Sequence, residues 1–120
     1  MMTQAEAARF AREWIEAWNA RDLERVLSHY ADDFEMSSPF IVTISSEASG
    51  TLRGKASVRA YWQTALQRHP DLHFELLEVF VGASSLVIFY KAVQGKRATE
   101  VLFLNENGQI SKAMAHHDEP

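Results

Sequence analysis

Cysteine is absent from the 120 residues of this chain. Its absence excludes disulfide scaffolds, zinc sites that use thiolate ligands and enzymes with a cysteine nucleophile. The five glycines stand singly, so the chain has no glycine-rich loop to hold a phosphate group. It also has no H-E-x-x-H motif and no cluster of carboxylates, which are common means of holding a metal. We therefore expect neither a metal site nor a cofactor.

Long apolar runs and an excess of basic charge are missing as well. No stretch approaches the roughly 18 apolar residues of a membrane-spanning helix, and residues 1–12 lack the apolar core of a signal peptide. Sixteen acidic residues against twelve basic ones give a net charge of −4, with no basic stripe to bind a nucleic acid. These features indicate a cytoplasmic protein that binds neither membranes nor nucleic acids.

Aromatic residues, by contrast, are abundant: seven Phe, three Trp and three Tyr. Together they supply more apolar lining than a minimal core needs. A chain of this length usually forms one domain, and neither a linker nor an internal repeat divides it. We expect a single domain over residues 1–120 that contains a hydrophobic pocket.

The first half of the chain predicts three helices. Thr3 begins a capping-box pattern, and aromatic residues follow it at helical spacing, namely Phe10, Trp14 and Trp18. Asp22 is placed to cap a second, shorter helix whose inward face ends at Tyr30. A third helix follows Gly54 and stops before Pro70. Its apolar face consists of Val58, Tyr61, Trp62, Ala65 and Leu66.

Strands account for the remaining pattern. The alternation over residues 34–38 predicts a short strand that Pro39 stops, and Ile41–Ile44 is a further candidate strand. From Leu72 onward the chain predicts four antiparallel strands joined by tight turns. Within the first of these, the apolar phase flips at Leu77, which is typical of a β-bulge that bends the strand.

This order of elements predicts an α+β fold, in which three helices from the N-terminal half pack on a strongly bent, mostly antiparallel sheet. A sheet folded over helices forms a cone, and an apolar cone suits a small hydrophobic molecule. The strands carry more apolar residues than one helical layer covers, so we expect a homodimer through the sheet. The candidates for the uncovered face are Leu77, Val79, Val81, Val87, Phe89, Val101 and Phe103.

Three segments of the chain resemble one known family. They are residues 14–39, WIEAWNARDLERVLSHYADDFEMSSP, the start of the third helix at residues 51–55, TLRGK, and the Ala-His-His-Asp at residues 115–118. Nearly the whole chain is similar to the SnoaL-like, or nuclear transport factor two-like, superfamily. The resemblance implies a cystatin-like α+β roll. It also implies either a cofactor-free isomerase, cyclase or hydrolase, or a member that only binds a ligand or dimerises.

Ketosteroid isomerases of this superfamily give the sharpest comparison. At the positions that resemble their catalytic base, their tyrosine and their protonated aspartate, this chain has Ser38, Trp14 and Glu100. Only Glu100 keeps the chemistry of its position, because a serine hydroxyl without a partner is too weak a base to remove a proton from carbon. The resemblance therefore does not carry the isomerase reaction over to this chain.

Glu100 and the two terminal histidines are the candidate catalytic residues. If Glu100 points into the cone, desolvation raises its pKa and makes it a proton donor; the alternative is a solvent-facing carboxylate. His116 and His117 point to opposite faces of the last strand, so only one of them can face the cone. The SnoaL-like terminal pattern favours His116, with Asp118, whereas the isomerase comparison favours His117. The inward histidine could form an acid/base dyad with Glu100, or both could be ordinary strand-end residues.

The other candidates are ligand contacts in the cone, comprising a serine at a strand end and five aromatic residues. They are Trp14, Trp18, Ser38, Tyr61, Trp62 and Tyr90. We expect a protein that binds a hydrophobic, oxygen-bearing small molecule and acts on it by acid/base chemistry. The alternative is a non-catalytic module that binds a ligand or dimerises. A buried carboxylate in a dry cavity favours the first function, and a cavity filled by its own aromatic side chains favours the second.

Overall fold

Four α-helices and six β-strands make up the fold in a computed structural model that describes all 120 residues. The helices are α1 (Gln4–Asn19), α2 (Leu23–Leu27), α3 (Pro39–Ile44) and α4 (Lys55–Arg68). The strands are β1 (Tyr30–Ser37), β2 (Thr51–Arg53), β3 (Glu75–Val81), β4 (Ser85–Lys91), β5 (Arg97–Leu104) and β6 (Ile110–His117). A 3-10 turn, Val93–Gly95, connects β4 to β5. No helix is both long and apolar enough to cross a membrane.

The strands form one curled, unclosed sheet in the order β2-β1-β6-β5-β4-β3. β1 and β6 run parallel, and every other neighbouring pair is antiparallel. The helices pack on the concave face of this sheet, which we call the inner face; the opposite face is the outer face. The predicted α+β class and the bent, mostly antiparallel sheet are confirmed.

Helix α1 forms as the sequence predicts. Thr3 and Glu6 exchange the two hydrogen bonds of a capping box, which satisfy two backbone N–H groups that the first turn leaves free. Trp14 and Trp18 lie on the buried stripe of the helix. Because α1 packs against β3, this stripe brings both indole rings close to the inner face of the sheet.

Residues 41–44 belong to a helix, α3, so the prediction of a strand there is wrong. Ser38 ends β1 in an extended conformation, and its Oγ accepts a hydrogen bond from the Phe40 backbone N–H at 3.2 Å. Pro39 occupies the start of the helix, where its missing N–H costs nothing and its fixed φ suits a helix. The helices therefore number four, not three. β1 also begins earlier than predicted, at Tyr30.

The predicted β-bulge lies in β3. The pairing with β4 shifts register around Leu77, which is the extra residue and is exposed. Beyond the bulge, Val79 and Val81 pack against the core, so the prediction that they lie on the uncovered face is wrong. Phe80 lies on the outer face instead and is 52% exposed. Four other residues predicted for the outer face do lie on it, because they alternate with buried neighbours along β4 and β5. They are Val87, Phe89, Val101 and Phe103.

Alternate residues of β4, β5 and β6 point to the inner face and are buried. Two of the inward residues at one end of the sheet are alanines, Ala92 and Ala115. Because alanine fills little volume, the side chains of the helices do not fill the space above them. The sheet and the helices thus enclose a cavity.

Candidate functional site

A cavity of about 270 Å³ lies between the helices and the inner face of the sheet. All six predicted ligand contacts line it, and so do Glu100 and His117. Its deep walls are mostly aromatic, whereas its mouth is polar and includes Gln94, Lys96 and residues 118–120. The volume is near the lower end for small-molecule sites, which is roughly 300 Å³. The cone is therefore not filled by its own aromatic side chains.

Glu100 points into this cavity from β5. It is 4% exposed and is the only acidic residue among the buried ones, which excludes the alternative of a solvent-facing carboxylate. Its partners in the sheet register are Ile88 of β4 and Ala115 of β6, so its neighbours bring no charge. The Tyr90 hydroxyl donates a hydrogen bond to Glu100 Oε1 at 3.4 Å, and Glu100 Oε2 has no partner.

Burial determines the protonation states around Glu100. Desolvation raises the pKa of Glu100 to about 8, and the hydrogen bond from Tyr90 offsets only part of this rise. Desolvation also raises the pKa of Tyr61 to about 12 and holds the pKa of Tyr90 and that of Tyr30 well above 10. At neutral pH, the Glu100 carboxyl group is therefore mostly protonated and the phenols keep their protons.

The register of β5 and β6 decides which terminal histidine faces the cavity. His117 lies opposite the buried residue Ala98, so its side chain is on the inner face and lines the cavity. His116 is exposed on the outer face. This placement corrects the expectation for His116, which cannot reach a molecule in the cavity. Asp118 pairs with Arg97 at 3.0 Å and not with His116.

His117 is half-buried, and its ring lies 4.4 Å from the ring of Phe40 between centroids. Burial lowers the pKa of His117 to about 4, with a smaller contribution from His116. His117 is therefore neutral at pH 7 and has one ring nitrogen that can accept a hydrogen bond or a proton. Glu100 and His117 lie diagonally on adjacent strands, and no hydrogen bond joins them. The cavity thus holds a proton donor and a separate neutral acceptor in place of the predicted dyad.

Ser38 lines the cavity as a helix cap. Its Oγ accepts hydrogen bonds from the Phe40 backbone N–H and from the Tyr61 hydroxyl, at 3.2 and 3.3 Å. No hydrogen bond joins its Oγ to a histidine or a carboxylate. Its contribution is to fix the start of α3 and the position of the Tyr61 hydroxyl at the wall.

The two tryptophans of α1 differ in the pairing of their indole N–H groups. Trp14 Nε1 donates to the Tyr30 hydroxyl at 3.0 Å, so Trp14 presents only its ring to the cavity. Trp18 Nε1 has no hydrogen-bond partner. Both rings contact Phe74, and the Trp18 ring also meets the Trp62 ring at a centroid distance of 5.0 Å. The result is a continuous aromatic wall.

Sequence reasoning missed the part of the site that α3 supplies. Phe40 and Ile44 line the cavity, but a strand over residues 41–44 would have placed them differently. The pair Ser38-Pro39 was the signal that could have found them, because a serine N-cap followed by proline is typical of a helix start.

No group of three or more histidine, aspartate and glutamate side chains converges as metal ligands would. His69 and His73 are four residues apart, which is the spacing of two ligands on one helix face. However, α4 ends at Arg68 and Pro70 follows, so the two histidines do not share a helix.

Comparison with known proteins assigns the family. The model of the SnoaL-like domain matches residues 11–111. The chain belongs to the SnoaL-like family. A SnoaL-like protein of unknown function from Burkholderia thailandensis is 52% identical, with 97% of each chain covered and a TM-score of 0.93. No curated protein matches the chain.

More distant solved structures share the architecture. An NTF2-like protein from Burkholderia pseudomallei is 23% identical, with 98% of this chain and 92% of that chain covered and a TM-score of 0.75. A protein with a cystatin-like fold from Methylobium petroleophilum is 16% identical, with 99% and 80% covered and a TM-score of 0.76. These likenesses show the fold alone, and the chemistry has to be argued from the cavity.

Proposed function

We propose that this SnoaL-like protein binds an uncharged, hydrophobic molecule with an oxygen acceptor, and that Glu100 acts on that oxygen as a protonated acid. The observation that carries the proposal is the Glu100 carboxyl group, which is buried in the cavity wall with Oε2 unpartnered. A protonated carboxyl group has one O–H to donate. In a wall that excludes water, such a donor interacts more strongly than it does in water.

The charge balance of the cavity supports an uncharged ligand. With Glu100 protonated and His117 neutral, the interior carries no formal charge at pH 7. A charged group in the deep part of the cavity would lose its hydration and find no counter-ion, which is costly, because the charged residues of the lining lie at the mouth. An apolar ring system would instead replace water against the aromatic walls.

The arrangement suits acid/base chemistry at a carbonyl or epoxide oxygen. As negative charge develops on that oxygen, the hydrogen bond from Glu100 becomes stronger and stabilises the transition state. Tyr90 holds the other carboxyl oxygen in place. His117 is a neutral base on the same cavity wall and can accept a proton that the ligand releases. Isomerisation, cyclisation and hydrolysis are the reaction classes that use this combination.

Binding of 1-tetralone, an apolar bicyclic ketone, tests the proposal. Glu100→Leu should weaken 1-tetralone binding about five- to tenfold, which is the loss of one hydrogen bond. The same variant should keep or gain stability, because it removes a buried carboxyl oxygen without a partner. Glu106→Leu removes an exposed carboxylate in the turn before β6 and should bind the ketone as wild type does. Equal Kd values for wild type and Glu100→Leu would overturn the proposal.

The outer face favours a second candidate function, self-association. Phe80 and Leu77 are exposed there, beside the half-buried Val87 and Val101 on adjacent strands. We propose that a second copy of the chain covers this face. Charges of both signs border it, as in the ion pair of Glu35 with Lys112, so the face can complement itself.

A further inference from the structure

Three buried side-chain atoms in the protein lack a hydrogen-bond partner: His29 Nε2, Trp18 Nε1 and Glu100 Oε2. His29 Nε2 lies 3.5 Å from the Glu13 carboxylate, and this charged neighbour explains why the nitrogen is buried there. The other two belong to residues that line the same cavity. Buried polar atoms without partners are rare because each costs free energy. Two of them in the wall of one cavity point to a ligand that pairs with both.

No oxygen acceptor pairs with the N–H of Trp18. Its ring contacts are with Trp14, Trp62 and Phe74, and none of these side chains carries an oxygen. Trp14, one turn earlier on the same helix, is the natural comparison, because its N–H donates to the Tyr30 hydroxyl. The fold thus supplies an acceptor to one tryptophan of this stripe and not to the other.

The two unpartnered groups come from facing layers of the fold. Trp18 belongs to α1 in the helical layer, and Glu100 belongs to β5 in the sheet. Both groups are donors at neutral pH, because indole nitrogen only donates and the Glu100 carboxyl group is protonated. A ligand with two acceptor oxygens, one at each side, would pair with both groups.

We propose that Trp18 is a second hydrogen-bond donor of the site, which selects a ligand with acceptor oxygens on opposite edges of an apolar ring system. The aromatic walls favour a flat ligand of this kind. The inference rests on the proposed function, since Glu100 supplies the other hydrogen bond. A para-dicarbonyl is the simplest chemical class that fits.

Two probes of similar shape test the inference. 1-Tetralone has one carbonyl group, whereas 1,4-naphthoquinone has two on opposite edges of the ring. The chain has no cysteine, so the nucleophile that most readily adds to quinones is missing. The measured quantity is the Kd of 1-tetralone divided by the Kd of 1,4-naphthoquinone. Effects of cavity size act on both probes and cancel in this ratio.

Trp18→Phe removes the N–H and should lower the ratio about three- to tenfold, which corresponds to one neutral hydrogen bond. Trp14→Phe makes the same truncation in the same wall, but the N–H that it removes is already bonded to the Tyr30 hydroxyl, so it should leave the ratio unchanged. If Trp18→Phe does not fold, 3-benzothienylalanine in place of Trp18 keeps the bicyclic shape and replaces the N–H by sulfur. It should lower the ratio in the same way.

An unchanged ratio in the Trp18 variants would overturn the role of Trp18 alone. The Trp62 ring, which meets the Trp18 ring edge to face at 79°, would then be the contact that Trp18 keeps without a ligand. The dependence of 1-tetralone binding on Glu100 would then still stand. If wild-type protein binds neither probe, the proposed function fails, and this inference fails with it.

Discussion

At the scale of single residues, Glu100 shows the conflict between folding and chemistry most clearly. It occupies an inward position of β5 between the buried residues Ala98 and Leu102. An apolar side chain of similar size would spare the fold the cost of burying a carboxyl group. The carboxyl group therefore does not serve the stability of the sheet, and in our proposal it serves the cavity.

Glu100 should make the stability of the protein depend on pH. Its pKa is about 8 in the folded chain against an ordinary value of 4.5, so the folded state holds a proton that the unfolded state has released between these values. Its contribution to stability is fully present below pH 4.5 and is lost as pH rises through 8. From pH 6.5 to pH 8 we expect the free energy of unfolding of wild type to fall by about 1.5 to 2 kcal/mol relative to that of Glu100→Gln.

Urea unfolding of the two proteins at several pH values measures this difference. The range from pH 6.5 to 8 excludes the titration of His117. Because the pKa of His117 is lowered in the folded state, His117 removes stability only as pH falls from 6.5 towards 4. If the free energies of unfolding of wild type and Glu100→Gln changed in parallel between pH 6.5 and 8, Glu100 would not be the titrating group.

At the scale of elements, local signals decided most of the fold. The cap at Thr3 predicted α1, and the phase flip at Leu77 predicted the bulge in β3. Residues 41–44 misled the prediction because all four are β-branched and so favour strands, while the cap at Ser38 decided the outcome. β2 has only three residues, too few to show an alternation.

The candidate site was predictable in its residue types but not in every orientation. The aromatic walls and Glu100 follow from apolar spacing and from the family resemblance. The inward histidine does not, because a shift of one residue in register exchanges the faces of His116 and His117. The pairing of β5 with β6 contains such a shift, next to Leu104. Only the assembled sheet reveals the resulting register.

Helix α4 depends on the backbone of Gly54, which precedes it with φ 89° and ψ 151°. This region is open essentially to glycine alone, so Gly54→Ala should lower the free energy of unfolding by about 1–3 kcal/mol. Gly95→Ala is the control, since its φ is 72° and a new Cβ there would meet nothing within 4 Å. Urea unfolding should show the larger loss at position 54, and equal losses would contradict the argument.

At the scale of the whole molecule, the two faces of one sheet have different surroundings. Side chains alternate between the faces along each strand, so β5 presents Glu100 to the cavity and Val101 to the outer face. In our proposals, the inner face holds the ligand and the outer face meets a second copy. A variant of the outer face should therefore leave the cavity intact.

Phe80→Lys should separate the proposed dimer into monomers, because it places a charge at the most exposed apolar residue of the sheet. Light scattering should give about twice the chain mass of 13.6 kDa for wild type and a single chain mass for Phe80→Lys. Val42→Lys changes an exposed apolar residue of α3 and should remain dimeric. A wild-type mass of one chain at micromolar concentration would rule out the dimer.

The central claim is that Glu100 is a protonated acid in the wall of a ligand cavity. An NMR titration of the Glu100 carboxyl carbon, in protein labelled with ¹³C at glutamate side chains, measures this state directly. Glu100→Gln identifies the signal by its disappearance. We predict that the chemical shift of this carbon reports a pKa of about 8 for the Glu100 carboxyl group, because the group is buried. A pKa near the ordinary 4.5 would show an ionised carboxylate at neutral pH and would contradict the account.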